Sequence, residues 1–161
     1  MKKNLHAALA TLAMIALPLS AHADGWIVGA GSSTTASGTP QTSIGLAFES
    51  RLISNLSMVV RGDYDFQNAA EVYRSGVVAL RVRAPMRIIH PWLEAGVGLG
   101  GNASTSEGGM AKSVGVGASA SIPFGIEPFA EARIVDIANT PGASPITEFR
   151  VGGQIHMHGG E

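Results

Sequence analysis

The chain is 161 residues long, and its formal net charge of −1 at pH 7 leaves no excess of basic residues for binding nucleic acid. It contains no cysteine, which excludes disulfide bonds. The 21 glycines and the poor helix signals favour an all-β fold over helical classes.

The first 23 residues have the pattern of a cleavable secretory signal peptide. Lys2 and Lys3 form a positive n-region, an apolar stretch runs from about residue 7 to 19, and residues 21–23 give a small-x-small cleavage pattern. Cleavage is therefore predicted after Ala23. Without Lys2 and Lys3, nine basic residues remain against twelve acidic ones.

The chain from residue 24 to 157 is predicted to be one domain, followed by a short polar tail at 158–161. It holds no hydrophobic run near the roughly 20 residues that a membrane-spanning helix needs, so it can enter a bilayer only as strands. Apolar and polar residues instead alternate in short segments. The predicted strands are 25–31, 42–49, 56–66, 71–83, 87–100, 112–122, 126–137 and 146–157.

Each predicted strand has one aliphatic and one polar face, since successive side chains point to opposite sides. In the third strand, Met58 and Val60 alternate with Arg61 and Asp63. The polar faces collect charges of both signs, and their cations are arginines, whose planar fork suits bidentate pairing with carboxylates. The only lysine beyond residue 3 is Lys112. The residues predicted to form an ion-pair network in the lumen are Glu49, Arg61, Asp63, Asp65, Arg81, Arg83, Glu94, Glu131, Arg133, Glu148 and Arg150.

Two architectures fit this alternation. A soluble barrel or β-sandwich would bury the aliphatic face, whereas a membrane barrel turns it towards lipid and encloses the charges. The scarcity of lysine, and the aromatic residues Tyr64 and Phe66 near a strand end, favour the membrane barrel. The connections favour it too, because long polar links alternate with short ones, except for the short outer link at 67–70. The long links, expected outside the cell, are 32–41, 101–111 and 138–145, and the short periplasmic links are 50–55, 84–86 and 123–125.

Four segments carry a family resemblance: GWIVGAG at 25–31, NLSM at 55–58, PWLEAGVG at 91–98 and PFAEAR at 128–133. They resemble small outer-membrane β-barrel proteins, similar to the barrel of outer-membrane protein A and to opacity-type surface proteins. The resemblance implies an eight-stranded antiparallel up-and-down transmembrane barrel in the bacterial outer membrane, with both termini in the periplasm. It also implies contact with outer-membrane lipid, lipopolysaccharide and the assembly machinery. The last predicted strand lacks the terminal aromatic residue that is usual in the family.

The histidines give partial matches to catalytic and metal sites. His90 shares a strand face with Glu94, and His156 shares one with Glu148, but no serine stands at a convincing spacing for a hydrolase triad. His156 and His158 form a pair that supplies only part of a metal site. The glycines alternate along strands and form no phosphate loop. No catalytic residue, metal site or other cofactor is therefore predicted.

The predicted function is that of a non-enzymatic outer-membrane protein, acting structurally or through its surface loops as an adhesion-like module for an extracellular partner. Its lumen is expected to be plugged by arginine–carboxylate pairs, because an eight-stranded barrel is only wide enough for its own side chains. Two alternatives stay open. One is a lipid-modifying enzyme or a narrow solute pore, and the other is a soluble periplasmic barrel that binds a small apolar ligand.

Overall fold

The computed structural model describes residues 25–67, 70–103, 105, 107–122, 125–140 and 144–156. The predicted signal peptide at 1–23 and the predicted polar tail at 158–161 lie outside the described residues. The described part of the chain has no helix that is both long enough and apolar enough to cross a membrane.

Eight strands form one closed antiparallel barrel, in which each strand pairs with its neighbours in the sequence. The last strand also pairs with the first, from Gly25 opposite His156 to Thr34 opposite Thr147, so the sheet has no free edge. The predicted eight-stranded antiparallel up-and-down barrel is thereby confirmed. The strands are β1 (Gly25–Thr34), β2 (Pro40–Ile53), β3 (Leu56–Gln67), β4 (Ala70–Arg83), β5 (Ile89–Asn102), β6 (Gly108–Ala120), β7 (Ile126–Ile137) and β8 (Ile146–His156).

The two ends of the barrel differ in what they carry. Gly25 and His156, the first and last strand residues, are paired at one end, here termed the terminal end. The opposite end is termed the loop end. The connections at the terminal end are 54–55, 84–88 and 121–125, and those at the loop end include 35–39, 103–107 and 138–145.

Several strands run further into the connections than the sequence predicts. The link predicted at 32–41 is reduced to 35–39, and the link predicted at 101–111 is reduced to 103–107. The two ends therefore carry connections of similar length, and the predicted contrast between long and short links is wrong except at 138–145. The physical reason is that small residues, which are typical of loops, here continue the strands. Ser32, Ser33 and Thr34 extend β1 with partners on both β2 and β8, and Gly108 and Gly109 extend β6 with partners on β5.

Alternate side chains point into and out of the barrel, as the parity of the predicted strands requires. In β2, Ser43 and Glu49 are buried, whereas Ile44 and Leu46 are 46% and 44% exposed. Large apolar side chains thus cover the outside, and charged side chains fill the inside. This distribution is the reverse of that in a soluble barrel and is the one expected in lipid.

Exterior aromatic residues lie towards both ends of the barrel. Trp26 and Phe48 pack edge to face near the terminal end, with ring centroids 3.8 Å apart. Tyr64 and Phe149 are exposed towards the loop end. Such positions are typical of the aromatic girdles at the two membrane interfaces.

Candidate functional site in the barrel lumen

All eleven side chains of the predicted ion-pair network lie on the inward face of their strands, and they come from β2, β3, β4, β5, β7 and β8. Ten of them are at most 8% exposed, and Arg83 is half-buried towards the terminal end. Five arginines face six carboxyl groups, so the charges nearly balance. A near balance is required here, because an unpaired charge in a narrow, dry lumen is strongly destabilising.

Six charged side chains form a cluster nearer the terminal end, here termed the lower cluster: Glu49, Arg61, Arg81, Arg83, Glu94 and Glu131. Arg81 donates from Nε and Nη2 to Glu94 Oε2 over 2.9 and 2.6 Å, and from Nη1 to Glu49 Oε2 over 3.2 Å. Arg83 Nη2 donates to the same Glu49 oxygen over 2.5 Å. Arg61 binds Glu131 through both Nη atoms, and its Nη2 lies 3.3 Å from Glu94 Oε2.

Four further charged side chains form the upper cluster, nearer the loop end: Asp63, Arg133, Glu148 and Arg150. Arg133 Nη2 lies 2.6 Å from Asp63 Oδ2 and 2.5 Å from Glu148 Oε2. Arg150 binds the other oxygen of Asp63 and lies 3.1 Å from Glu148 Oε2. Each arginine therefore bridges two carboxylates that belong to different strands.

Asp65 has no ion pair with an arginine among the described residues. Ser33 Oγ instead donates to Asp65 Oδ1 over 2.7 Å. Its neighbours in the barrel wall are Ser43 on β2 and Tyr73 on β4, neither of which is a cation. The expected pairing of carboxylates with arginines therefore does not hold at this position.

Apolar side chains fill the lumen on both sides of the two clusters. Towards the terminal end, the rings of Trp92 and Phe129 lie 6.1 Å apart, and the guanidinium carbon of Arg81 is 4.6 Å from the Trp92 ring centroid. Towards the loop end, Ile137 and Ile146 are 2% and 1% exposed. The ion pairs and these apolar side chains together fill the lumen between its two ends, so a solute could pass only if the side chains moved apart.

Glycines in the wall make room for the large lumen side chains. A Cβ atom at Gly117 would lie 2.5 Å from Cζ2 of Trp92 and 2.7 Å from the carbonyl oxygen of Ala130. A Cβ atom at Gly152 would lie 2.7 Å from Cε1 of Phe129. Both aromatic rings therefore pack directly on backbone, which explains why glycines recur on the inward face of β6 and β8.

A third polar cluster, here termed the terminal cluster, lies where the lumen opens at the terminal end: His90, Ser119, Ser121, Glu127 and His156. His90 Nε2 is 2.8 Å from Ser121 Oγ. The hydroxyls of Ser119 and Ser121 each lie 3.0 Å from one of the two Glu127 oxygens. His156 Nε2 lies 3.3 Å from Glu127 Oε2. Glu127 is therefore the centre of this cluster.

The terminal cluster lacks the arrangement of a hydrolase triad. In a triad the acid binds the histidine, and the histidine takes the proton of the serine. Here Glu127 contacts Ser121 itself, so the single hydroxyl proton can be donated to Glu127 or to His90 but not to both. No carboxylate among the described residues orients His90.

The histidine partners suggested by shared strand faces are not brought together. Glu94 is held by two arginines of the lower cluster, and Glu148 by the two arginines of the upper cluster. The reason is distance along the strand, because the four residue steps from His90 to Glu94 span about 13 Å. His156 and Glu148 are eight residue steps apart along β8, twice the separation of His90 and Glu94. His156 contacts Glu127 instead.

The terminal cluster does not form a metal centre within the described residues, where no three His, Asp or Glu side chains stand close enough to hold an ion. His158, the other half of the pair with His156, lies outside the described residues. A polar cavity of about 40 Å³ opens beside His156. Glu49, Arg83 and Gln154 are among the residues that line it, and it can hold about three water molecules.

Sequence reasoning missed the neutral partners of the charged network. Gln154 donates from Nε2 to Glu49 Oε2 over 3.0 Å and accepts from Arg83 Nη2 over 2.7 Å. Ser43 accepts two hydrogen bonds from Arg150. The inward parity of Ser43 and Gln154 is visible in the sequence and could have identified both. Ser121 falls on the polar face of the predicted strand 112–122, although the observed β6 already ends at Ala120.

Comparisons with known proteins find similar folds. No protein-family model matches the chain, and neither does any curated protein. The crystal structure of Neisserial surface protein A gives a TM-score of 0.68 at 16% identity, with 83% of this chain and 96% of that chain covered. The N-terminal β-barrel domain of Pseudomonas aeruginosa OprF gives 0.60 at 10% identity, covering 84% and 98%. The outer membrane enzyme PagL gives 0.56 at 16% identity, covering 81% and 99%.

These likenesses concern the fold, since the sequence identities are too low to carry an activity from one protein to another. One of the three neighbours is an enzyme, so the fold alone does not decide whether this chain is catalytic. The finer resemblance to opacity-type surface proteins stays a prediction. The chain has the fold of the small eight-stranded outer-membrane β-barrels.

Proposed function

We propose that this protein is a bacterial outer-membrane β-barrel with a structural or surface-interaction role and no catalytic activity. The observation that carries the proposal is the filled lumen, in which two ion-pair clusters pack together with buried apolar side chains. A barrel filled in this way offers no path for a solute and no room for a substrate. Any interaction with a partner then takes place at the ends of the barrel or on its outer wall.

The apolar outer wall supports a location in the membrane. Leu93, Val114 and Val151 are 66%, 65% and 65% exposed, and many other large apolar side chains lie on the same outer face. Removing one such side chain from water stabilises a protein by about 1.5–3 kcal/mol, so a wall of them is stable only against an apolar phase. The outer membrane is the bacterial compartment in which closed barrels of this size span lipid.

The longest loop-end connection supports a surface-interaction role. Residues 138–145 join β7 to β8 and are fixed at both ends of the connection. Thr140 Oγ1 donates to the Ile137 carbonyl oxygen over 2.7 Å, and Ser144 Oγ accepts from the Ile137 amide over 2.8 Å. These contacts hold the described residues Thr140 and Ser144 against the end of β7, at the end of the barrel that an extracellular partner would reach.

A lipid hydrolase is the second candidate function, because His90 and Ser121 are in hydrogen-bond contact. A histidine within reach of a serine hydroxyl is the first requirement for a serine nucleophile. The missing orienting acid argues against this candidate. We therefore propose a structural role for the terminal cluster, in which Glu127 ties the ends of β6 and β8 to β7.

Fractionation with gel mobility tests the membrane assignment. The full chain is expressed in a Gram-negative host, membranes are separated from the periplasm, and boiled and unboiled samples are compared on a detergent gel. A folded barrel resists the detergent until it is boiled, so we expect outer-membrane recovery and two different mobilities. Recovery in the soluble periplasm with a single mobility would refute the assignment.

Two further assays test the proposed lack of transport and catalysis. In planar bilayers the purified barrel should give no conductance steps, because every path through the lumen crosses the ion-pair clusters. With phospholipid and lipid A as substrates, we expect no released fatty acid. A release that disappears in Ser121→Ala and His90→Ala but persists in the matched Ser119→Ala variant would establish the hydrolase instead.

A further inference from the structure

Three buried side-chain atoms in the middle of the lumen have no hydrogen-bond partner among the described residues. They are Glu94 Oε1, Ser113 Oγ and Arg133 Nη1. The three residues are at most 4% exposed, so bulk water does not reach them. Most buried polar groups in folded proteins bind either another protein group or an ordered water molecule, because an unpaired one is destabilising.

The register of the sheet places these three residues around Gly115 of β6. Glu94 on β5 and Arg133 on β7 both stand opposite Gly115, so their backbones are about 10 Å apart, two strand spacings. Ser113 is the next inward residue along β6. Gly115 has no side chain, and the stem of Arg133 lies over it, with Cγ 3.3 Å from where a Cβ atom would be. The three side chains therefore surround one small space on the β6 side of the lumen.

The hydrogen bonds of Arg133 leave its Nη1 on the side of β6. Both Nε and Nη2 donate to Glu148 Oε2 on β8, over 2.9 and 2.5 Å. These two nitrogens form one edge of the planar guanidinium, and Nη1 lies on the other edge. Since β7 stands between β6 and β8, Nη1 is turned away from β8 and towards β6.

The hydrogen bonds of Glu94 leave its Oε1 on the same side. Its other oxygen, Oε2, accepts from Nε and Nη2 of Arg81 and from Nη2 of Arg61. Those arginines come from β4 and β3, whereas the other neighbour of β5 is β6. One free acceptor and one free donor therefore face the space over Gly115 from its two sides, and the hydroxyl of Ser113 adjoins them.

The pattern of donors and acceptors selects the kind of molecule that fits this space. Arg133 Nη1 can only donate, and Glu94 Oε1 can only accept, so the occupant must do both. The guanidinium repels a cation, and the carboxylate repels an anion. A small neutral molecule remains, and buried water typically makes about three hydrogen bonds in such a place.

We infer that one water molecule is bound over Gly115, where it accepts from Arg133 Nη1, donates to Glu94 Oε1 and bonds to Ser113 Oγ. Glu94 belongs to the lower cluster and Arg133 to the upper cluster. Within the described ranges of the chain, no ion pair joins the two clusters directly. The water links them into one network that extends from β2 to β8.

A crystal structure of the refolded barrel, at a resolution that shows ordered water, tests the site directly. We expect one solvent peak within hydrogen-bond distance of Glu94 Oε1, Ser113 Oγ and Arg133 Nη1. Direct pairing of Glu94 with Arg133, or three unpaired atoms with no solvent peak between them, overturns the inference.

The stability of Ser113→Ala gives a second test, whose sign depends on the water. With the water bound, the substitution removes one of its three hydrogen bonds, and we expect the folding equilibrium constant to fall about fivefold. Without the water, the substitution only removes an unpaired buried hydroxyl, so stability would stay the same or rise. Urea titration in lipid vesicles, with gel mobility as the probe, measures the change.

Ser75→Ala is the matched control, because Ser75 is a lumen serine that donates directly to Asp63 Oδ2 over 3.3 Å. We expect a similar loss of stability in this variant, with the solvent peak over Gly115 unchanged. A Ser113→Ala variant that is at least as stable as the wild type overturns the inference, while the proposed outer-membrane function would still stand.

Discussion

Arg133 is the side chain on which the upper cluster depends. Its guanidinium binds Asp63 and Glu148, which come from β3 and β8, and it is 2% exposed. Replacing it with methionine keeps most of the volume but leaves the lumen with an excess of negative charge. We expect Arg133→Met to lower the free energy of unfolding by about 3–5 kcal/mol, measured by urea titration in lipid vesicles with gel mobility as the probe.

Arg87→Met is the matched control for this loss, because Arg87 is exposed in the connection between β4 and β5. An exposed arginine contributes about 0–1 kcal/mol, so the control should unfold close to the wild type. Equal urea midpoints for Arg133→Met and Arg87→Met would show that the ion pairs in the lumen are not needed to hold the barrel closed.

Substitution of Gly117 tests how closely the Trp92 ring packs on the backbone of β6. A Cβ atom there would meet Trp92 and the backbone of Ala130, whereas a Cβ atom at Gly62, on the outer face of β3, would meet nothing within 4 Å. We expect Gly117→Ala to destabilise the barrel by about 1–3 kcal/mol and Gly62→Ala to leave it unchanged within error. The same urea titration measures both, and a larger loss for Gly62→Ala would contradict the packing described for Trp92.

The antiparallel pairing of β1 with β8 closes the sheet into a barrel. Ala30 lies in the middle of β1, opposite Ile44 on β2 and Val151 on β8. Proline at this position removes a ladder hydrogen bond where lipid offers no replacement, which costs several kcal/mol. We expect Ala30→Pro to abolish the heat-dependent mobility shift.

Ala36→Pro is the control for the Ala30→Pro variant. Ala36 follows Thr35 in a turn in which the Gly38 amide donates to the Thr35 carbonyl oxygen over 2.8 Å, and proline is favoured at the second position of such a turn. This variant should keep the mobility shift of the wild type. A normal shift in Ala30→Pro would mean that the barrel stays closed without that ladder bond.

The strands that could be predicted best are those with large aliphatic residues on one face. The predicted ranges 56–66, 71–83 and 126–137 differ from β3, β4 and β7 by one residue at most. In contrast, β1 continues beyond the predicted 25–31, because Ser32, Ser33 and Thr34 place small polar residues on both faces, and β2 continues beyond the predicted 42–49 at both ends, where polar and apolar residues do not alternate. Alternation then vanishes, although pairing continues.

The inward position of the charged residues could be predicted from parity, but their partners could not. Arg61 on β3 binds Glu131 on β7, and Arg150 on β8 binds Asp63 on β3, so both pairs cross the lumen. Such contacts depend on the stagger of the strands around the barrel, which no single strand pattern contains. The same stagger brings His90 to Ser121 rather than to Glu94.

At the scale of the whole molecule, the two tryptophans report which face meets lipid. Trp26 lies on the outer face against Phe48, whereas Trp92 is 4% exposed inside the lumen. In vesicles with bromine on the upper acyl carbons, we expect strong quenching of Trp26 emission and little quenching of Trp92. Trp92→Phe isolates the first signal, and Trp26→Phe isolates the second. Quenching of Trp92 with an unquenched Trp26 would invert the assignment, since the charged lumen would then be the surface in contact with lipid.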